Sequence, residues 1–274
     1  MQFSPITLTS SANENVKRWR RQAESTRAVK KTGFTLAEGL HLAQVIAQRR
    51  VAAHAVILSE KCAPQALQFA QDVFEALAGR GKAPHVYVLP EAVYNAVCPV
   101  ENGTGIMVEV PAKSCERPHA PLQVDALYLD GVQDAGNVGT LIRTAVAAGV
   151  RHIAASSDTA GFWTPRVLRA AMGAHFAAHL YENVEPEELS SLFAGRRLAA
   201  DARGGRDLFR TPGWESEATV WMMGAEGPGL SQKALAAADM RFLIDIEHDC
   251  ESLNVAAAAA VCLFEQRRRR LLAD

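Results

Sequence analysis

Two hydrophobic patterns alternate along this chain. Apolar runs of four or five residues predict buried strands, and stretches with apolar positions three and four apart predict helices packed by one face. In the first part, Val16, Trp19 and Ala23 predict a helix with a single apolar stripe, and Leu36–Gln48 a second helix. Ala55–Leu58 reads as a strand, Gln65–Leu77 as a helix, and Val86–Leu89 and Gly105–Val110 as two further strands. Such alternation predicts a compact α/β unit. Periodicity then stops, because Pro111–Pro121 carries three prolines among polar residues and reads as a linker. The expected organisation is one domain over residues 1–110, a linker over 111–122 and a second domain over 123–274.

The second part repeats one theme. Strand Ala126–Leu129 runs into a loop, Asp130–Asn137, then a helix from Val138 to Ala148 closed by Gly149, with strand His152–Ala155 following at once. Strand Thr219–Met223 runs into Gly224–Gly229 and a helix over Gln232–Ala238. Strand Phe242–Ile246 leads through His248–Glu251 into a helix from about Leu253 to Arg270. Strand-to-helix loops are where an open parallel sheet places its ligand, so these three are expected to meet at one crevice.

Composition narrows the class. The chain of 274 residues is 49% hydrophobic and 22% charged, which supplies a core and excludes global disorder. Its net charge of −1 neither demands nor forbids a nucleic-acid partner. The longest apolar run, Val255–Phe264, has ten residues, against the roughly 20 that a bilayer span needs. Met1–Asn15 shows no basic start followed by an apolar stretch, and five scattered cysteines suit a reducing compartment. A cytoplasmic protein without membrane or metal is expected.

Charge is uneven, however. Lys17, Arg18, Arg20, Arg21, Arg27, Lys30 and Lys31 stand against one acid, Glu24, a local +6. This is either a solvated helix face or a footprint for phosphates. A second cluster, Arg267–Arg270, closes the last helix, where the helix dipole favours cations anyway.

Chemistry is concentrated in the three loops. Asn137 stands where an N-cap belongs, Gly139 permits close backbone approach, and Arg143 follows on the same helix. Gly224-Ala225-Glu226-Gly227-Pro228-Gly229 has the spacing G-x-x-G-x-G, unlike the dinucleotide fingerprint, and carries one charged side chain, Glu226. Ser252 and Asn254 flank Leu253 at the start of the last helix and read as caps or as ligands. His175 and His179 have helical spacing for a metal pair but no third ligand beside them, and Cys250 has no adjacent base.

Together these motifs resemble the SpoU/TrmH family of RNA ribose methyltransferases. Asn137, Gly139, Arg143 and Ala145 match its first motif; Met222–Gly224, Glu226, Gly227, Gly229, Leu230 and Ser231 match the second; Ser252, Leu253, Asn254, Val255 and Ala256 match the third. Arg169–Ala174 is similar to the family's R-A-S-x-G-A stretch, with Ala171 where serine is frequent. Ser10, Asn13, Val16, Lys17, Arg27, Phe34 and Glu38-Gly39 resemble the small ribosomal-protein-like RNA-binding domain that precedes the catalytic one. The chain departs from the family's I-P-M at Ile244-Asp245-Ile246-Glu247.

The resemblance implies a parallel-sheet SPOUT domain with a deep trefoil knot, a homodimer, and S-adenosylmethionine as cofactor. Gly224, Ala225, Glu226, Gly227, Ile244, Ile246 and Leu253 would face that cofactor. Arg143, Asn137, Glu226, Ser252 and Asn254 would act on a ribose 2′-hydroxyl. The basic residues from Lys17 to Lys31 would hold RNA, with ribosomal RNA favoured over transfer RNA. A base methyltransferase and a non-catalytic assembly factor with a degenerate knot are the competing readings.

Overall fold

The computed structural model describes residues 2–79, 81–247 and 249–273; His248, which opens the loop expected before the last helix, and Met1 lie outside them. The chain divides into two compact units. The first runs to Lys113 and also takes in Trp163–Phe176; the second holds Ser114–Phe162 and the chain from Ala177 onward.

The first unit begins with β1 (Ile6–Thr7), α1 (Glu14–Glu24), α2 (Thr26–Thr32), β2 (Phe34–Glu38) and α3 (Leu40–Arg49). It continues through β3 (Ala55–Ser59), α4 (Pro64–Ala78), β4 (His85–Leu89), α5 (Glu91–Asn95) and β5 (Ile106–Pro111). The strands form a mixed sheet in the order β1-β4-β3-β5-β2, with β5 antiparallel to both neighbours. Side chains alternate across it as the strand period requires. Val56 and Leu58 pack with Leu42, Ile46, Ala70 and Phe74 of α3 and α4, while Ala55 and Ile57 pack with Val16 and Trp19 of α1.

The helix expected over Leu36–Gln48 is two elements. Leu36, Leu40 and Ala43 mimic helical spacing, but Thr35–Glu38 is buried on both faces as a strand, and Gly39 turns the chain at φ 118°. Buried Glu109 on β5 anchors α1: Arg18 donates to both its oxygens at 3.0 Å, and Gln22 Nε2 adds a bond at 3.0 Å. The Trp163–Phe176 segment carries α7 (Pro165–Ala170), whose Leu168 enters the α3–α4 cluster while Arg169 pairs with buried Glu38.

In the second unit come β6 (Ala126–Asp130), α6 (Ala135–Ala148), β7 (His152–Ala155), β8 (His179–Tyr181), α8 (Leu189–Leu192) and β9 (Arg196–Ala200). After them follow β10 (Arg206–Asp207), β11 (Thr219–Gly224), α9 (Gln232–Ala237), β12 (Met240–Leu243) and α10 (Val255–Ala273). All seven strands are parallel, in the order β10-β12-β9-β11-β6-β7-β8. Central strands β6 and β11 are buried throughout, which is why they read as unbroken apolar runs. One sheet face packs on α8 and α9 through Leu189, Leu192 and Ala234. On α10, buried Gln266 accepts hydrogen bonds from Thr219 Oγ1 (2.9 Å) and Trp221 Nε1 (2.7 Å), and α10 packs along α6.

The proline-rich stretch after Lys113 is fastened to this unit. Cys115 N donates to Leu180 O at 2.7 Å, Arg117 pairs with Glu188, and Leu122 bridges to Phe193. Three element ends also differ from expectation. The N-cap of α6 is Asp134, whose carboxylate accepts from Asn137 N at 2.7 Å, so Asn137 lies inside the first turn. β12 stops at Leu243, leaving Ile244–Ile246 outside the ladder, and α10 begins at Val255. The arginines closing α10 do more than meet a helix dipole. Arg267 donates to Ala148 O at 3.3 Å, Arg269 to Leu208 O at 2.8 Å and Thr211 O at 2.6 Å, and Arg270 pairs with Asp125.

Candidate active site

The expected crevice exists, and its polar core is one hydrogen-bonded group. Asn137, in the first turn of α6, donates from Nδ2 to Glu226 Oε1 at 2.6 Å. Asn254 donates from Nδ2 to the same Glu226 oxygen at 2.8 Å and to Asn137 Oδ1 at 3.0 Å. Three side chains from the loops after β6, β11 and β12 thus close on each other across 28 to 117 residues of sequence. Local structure aims each of them. Asn254 caps α10 by accepting from Ala256 N at 2.9 Å, so capping and site-building are done by one residue. Glu226 sits on a loop closed by reciprocal backbone bonds of Ala225 and Gly229 at 3.1 and 2.9 Å. That loop needs glycine at its root: a Cβ on Gly224 would lie 2.1 Å from Gly229 C. Ser231 then caps α9, and its N–H donates to Asp130 at the end of β6 at 2.6 Å.

Beside this group lies a cleft lined by Gly224, Ala225, Glu226, Gly227, Ser252 and Leu253, with Phe242, Ile244, Ile246, Val255 and Ala258 as its apolar wall. Among the described residues, no backbone hydrogen bond engages Ile244, Ile246 or Leu253. An apolar wall carrying unspent N–H and C=O groups suits a flat heterocycle with a polar edge, since desolvated backbone groups need partners. The family's I-P-M is replaced without adding charge to this wall, because Asp245 and Glu247 alternate outward and are exposed while Ile244 and Ile246 line the cleft.

A fourth loop, absent from the sequence reading, completes the rim. After β9, Arg203 donates from Nη2 to Gly227 O at 3.0 Å and to Pro228 O, clasping the glycine loop. Asp201 accepts from Arg203 N at 3.1 Å and pairs with Arg241. The signal was Gly204-Gly205 after the apolar Leu198-Ala199-Ala200, obscured by Arg196 and Arg197 at the head of the strand.

Other expected residues fall elsewhere. Arg143 is exposed on α6, about 9 Å along the axis from Asn137. No hydrogen bond or ion pair engages its side chain among the described residues. Of the basic segment, Arg18 is committed to Glu109 and Lys17 to Glu14. Arg21, Arg27, Lys30 and Lys31 are exposed and Arg20 is half-buried. His175 lies in a 3-10 turn and His179 in β8, where it stacks on His152 at 4.5 Å. Exposed Cys250 meets Ser252 O at 3.3 Å. Among the described residues there is no cluster of three metal-ligating side chains, and no helix is long and apolar enough to cross a membrane.

Known proteins are similar to this chain. A 23S rRNA (guanosine(2553)-2′-O)-methyltransferase of Bacillus subtilis is 28% identical over 95% of this chain and 98% of its own length. An uncharacterized tRNA/rRNA methyltransferase of Synechocystis is 30% identical over 98% of this chain and 96% of its own. The crystal structure of an AdoMet-bound rRNA methyltransferase from Sinorhizobium meliloti superposes with a TM-score of 0.80 at 25% identity, covering 96% of this chain and 98% of that one. The profile of the SpoU rRNA Methylase family matches residues 126–264, the span from β6 into α10 that carries every residue of the cleft and its polar group, and this chain belongs to that family.

Proposed function

We propose that this chain transfers a methyl group from S-adenosylmethionine to a ribose 2′-hydroxyl of ribosomal RNA, with 23S rRNA as the substrate. The observation that carries the reading is the Asn137–Glu226–Asn254 group set beside an apolar cleft with unspent backbone. The named activity of the Bacillus subtilis relative and the AdoMet-bound state of the Sinorhizobium meliloti protein support it.

The cleft suits the cofactor: Ile244, Ile246 and Leu253 would meet the adenine edge with backbone groups, and Gly224, Ala225 and Gly227 let the ligand approach the loop. When bound, S-adenosylmethionine supplies a methyl group already activated by its sulfonium. The protein is left with positioning and with the hydroxyl proton. Glu226 spends Oε1 on two amides, and among the described residues Oε2 has no hydrogen-bond partner, so it is open to a substrate hydroxyl. Asn137 and Asn254 fix that carboxylate, and Ser252 stands at the rim to meet the ribose. Arg143 is a poor base, because a guanidinium does not give up its proton in proteins. Its role is to orient a phosphate by its fork of donors and to stabilise the ribose oxygen as charge develops.

Arg143 lies away from the polar group within one chain, so a homodimer is part of the proposal. The exposed stripes Gly136, Thr140 and Arg143 on α6 and Ala257 and Phe264 on α10 are surfaces that a second copy can cover. The trefoil threading of the C-terminal segment belongs to the same reading. The test is transfer of labelled methyl from S-adenosylmethionine to unmodified 23S rRNA and transfer RNA transcripts, followed by nucleoside analysis. A 2′-O-methylnucleoside in the 23S fraction is the expected result; a methylated base, or cofactor binding without transfer, contradicts it.

A further inference from the structure

The first unit carries a row of exposed and half-buried rings that the proposed methyl transfer does not use. β2, β3 and β4 all begin at one end of its sheet, because β2 and β3 each run antiparallel to β5 and β4 runs parallel to β3. There Phe34 lies 5.1 Å from His54, His54 6.0 Å from His85, and His85 6.1 Å from Tyr87, centroid to centroid. His54 and His85 are exposed; Phe34 and Tyr87 are half-buried. Tyr87 anchors the row, meeting buried Trp19 edge-on at 5.3 Å and accepting a hydrogen bond from Asn15 Nδ2 at 3.5 Å.

Cations lie on the two helices that precede β2. The helix that holds Tyr87, α1, carries Arg20 and Arg21, and α2 places Lys30 and Lys31 in its last turn before Phe34. The nearby carboxylate of Glu109 is buried and already paired with Arg18, so it presents no exposed charge to repel a phosphate. Surface rings in a row, together with Arg20, Arg21, Arg27, Lys30 and Lys31, the basic residues of the segment not committed to Glu14 or Glu109, are the two ingredients of single-stranded nucleic-acid binding: faces on which unpaired bases stack, and charge that tracks the backbone. A duplex cannot use the rings, because its bases already stack on one another.

We propose that Phe34, His54, His85 and Tyr87 form a stacking platform for unpaired bases of the RNA substrate, in the unit that holds none of the cleft's residues. The proposal rests on RNA being the substrate. It is tested by equilibrium binding of the full chain to a mixed-sequence single strand of about 12 nucleotides, a length within the reach of such grooves. The same strand made abasic and the same strand fully paired serve as controls. The variant His54→Ala/His85→Ala is expected to lose about 10-fold in affinity for the single strand alone. His54→Phe/His85→Phe is expected to keep it, and S-adenosylmethionine affinity stays parental in both. An undiminished single-strand affinity, or an equal loss on the abasic strand, overturns the platform. Failure of the parent chain to bind any of the three RNAs overturns the substrate reading instead, so the two failures are distinguishable.

Discussion

Two glutamates, one in each unit, show how one side chain serves opposite ends. Glu109 is fully buried, and both its oxygens are taken up by Arg18 and Gln22. Glu226 also accepts from two side chains, yet both bonds fall on one oxygen, the residue is exposed, and it lines a cleft. The first arrangement is saturated and can only hold the fold. The second holds a carboxylate in place while leaving half of it for something else. Saturation, more than the number of bonds, separates a structural carboxylate from one available to a substrate.

A small loss of stability on removing Glu109 would undo the contrast between the two carboxylates. Glu109→Ala leaves Arg18 unpaired against the sheet and is expected to cost about 3–5 kcal/mol by denaturant midpoint, with parental methyl transfer per folded molecule. Glu226→Gln should do the reverse. Turnover is expected to fall about 100- to 1,000-fold, with stability unchanged within about 0.5 kcal/mol. Arg143→Lys keeps the charge but loses the fork, and is expected to lower kcat about 10-fold with KM for S-adenosylmethionine unchanged.

The smallest effect comes from a third carboxylate, on α10. The hydrogen bond from Arg268, with Arg269 behind it, holds the Glu265 carboxyl at about 2, below the usual 4.5. A depressed carboxylate stabilises the fold above its ordinary value and stops doing so as pH falls toward the depressed one. Glu265→Gln is therefore expected to cost about 1 kcal/mol at pH 7, and the difference from parent should vanish between about pH 4.5 and 2 in acid-unfolding curves.

The second unit was the more legible in sequence. Strands such as Ala126–Asp130 and Thr219–Gly224 are buried on both faces, so their apolar runs stand out, and the polar residues of the crevice follow them directly in three loops. What sequence hid was long-range or brief. β9 begins with two arginines, so the Arg203 loop behind it went unseen. β2 borrowed the spacing of the helix after it. Arg18 finds its partner 91 residues away, and Arg270 finds Asp125 145 residues away, so neither cluster of cations could be sorted into paired and free by composition. Asn137 looked like a cap because a capping residue belongs there; Asp134, three residues earlier, does that work and frees Asn137 for Glu226.

A methyl group moved by the Glu226 crevice to a ribose oxygen of 23S rRNA leaves a mark that can be mapped. The most direct measurement takes 23S rRNA from cells deleted for this chain, incubates it with S-adenosylmethionine and either parent or Glu226→Gln protein, and maps 2′-O-methylation nucleotide by nucleotide. The expected result is a position that is unmethylated in the deletion strain, filled by the parent and left empty by the variant. A 2′-O-methylation map that is the same with and without the chain, or filled equally by Glu226→Gln, would contradict it.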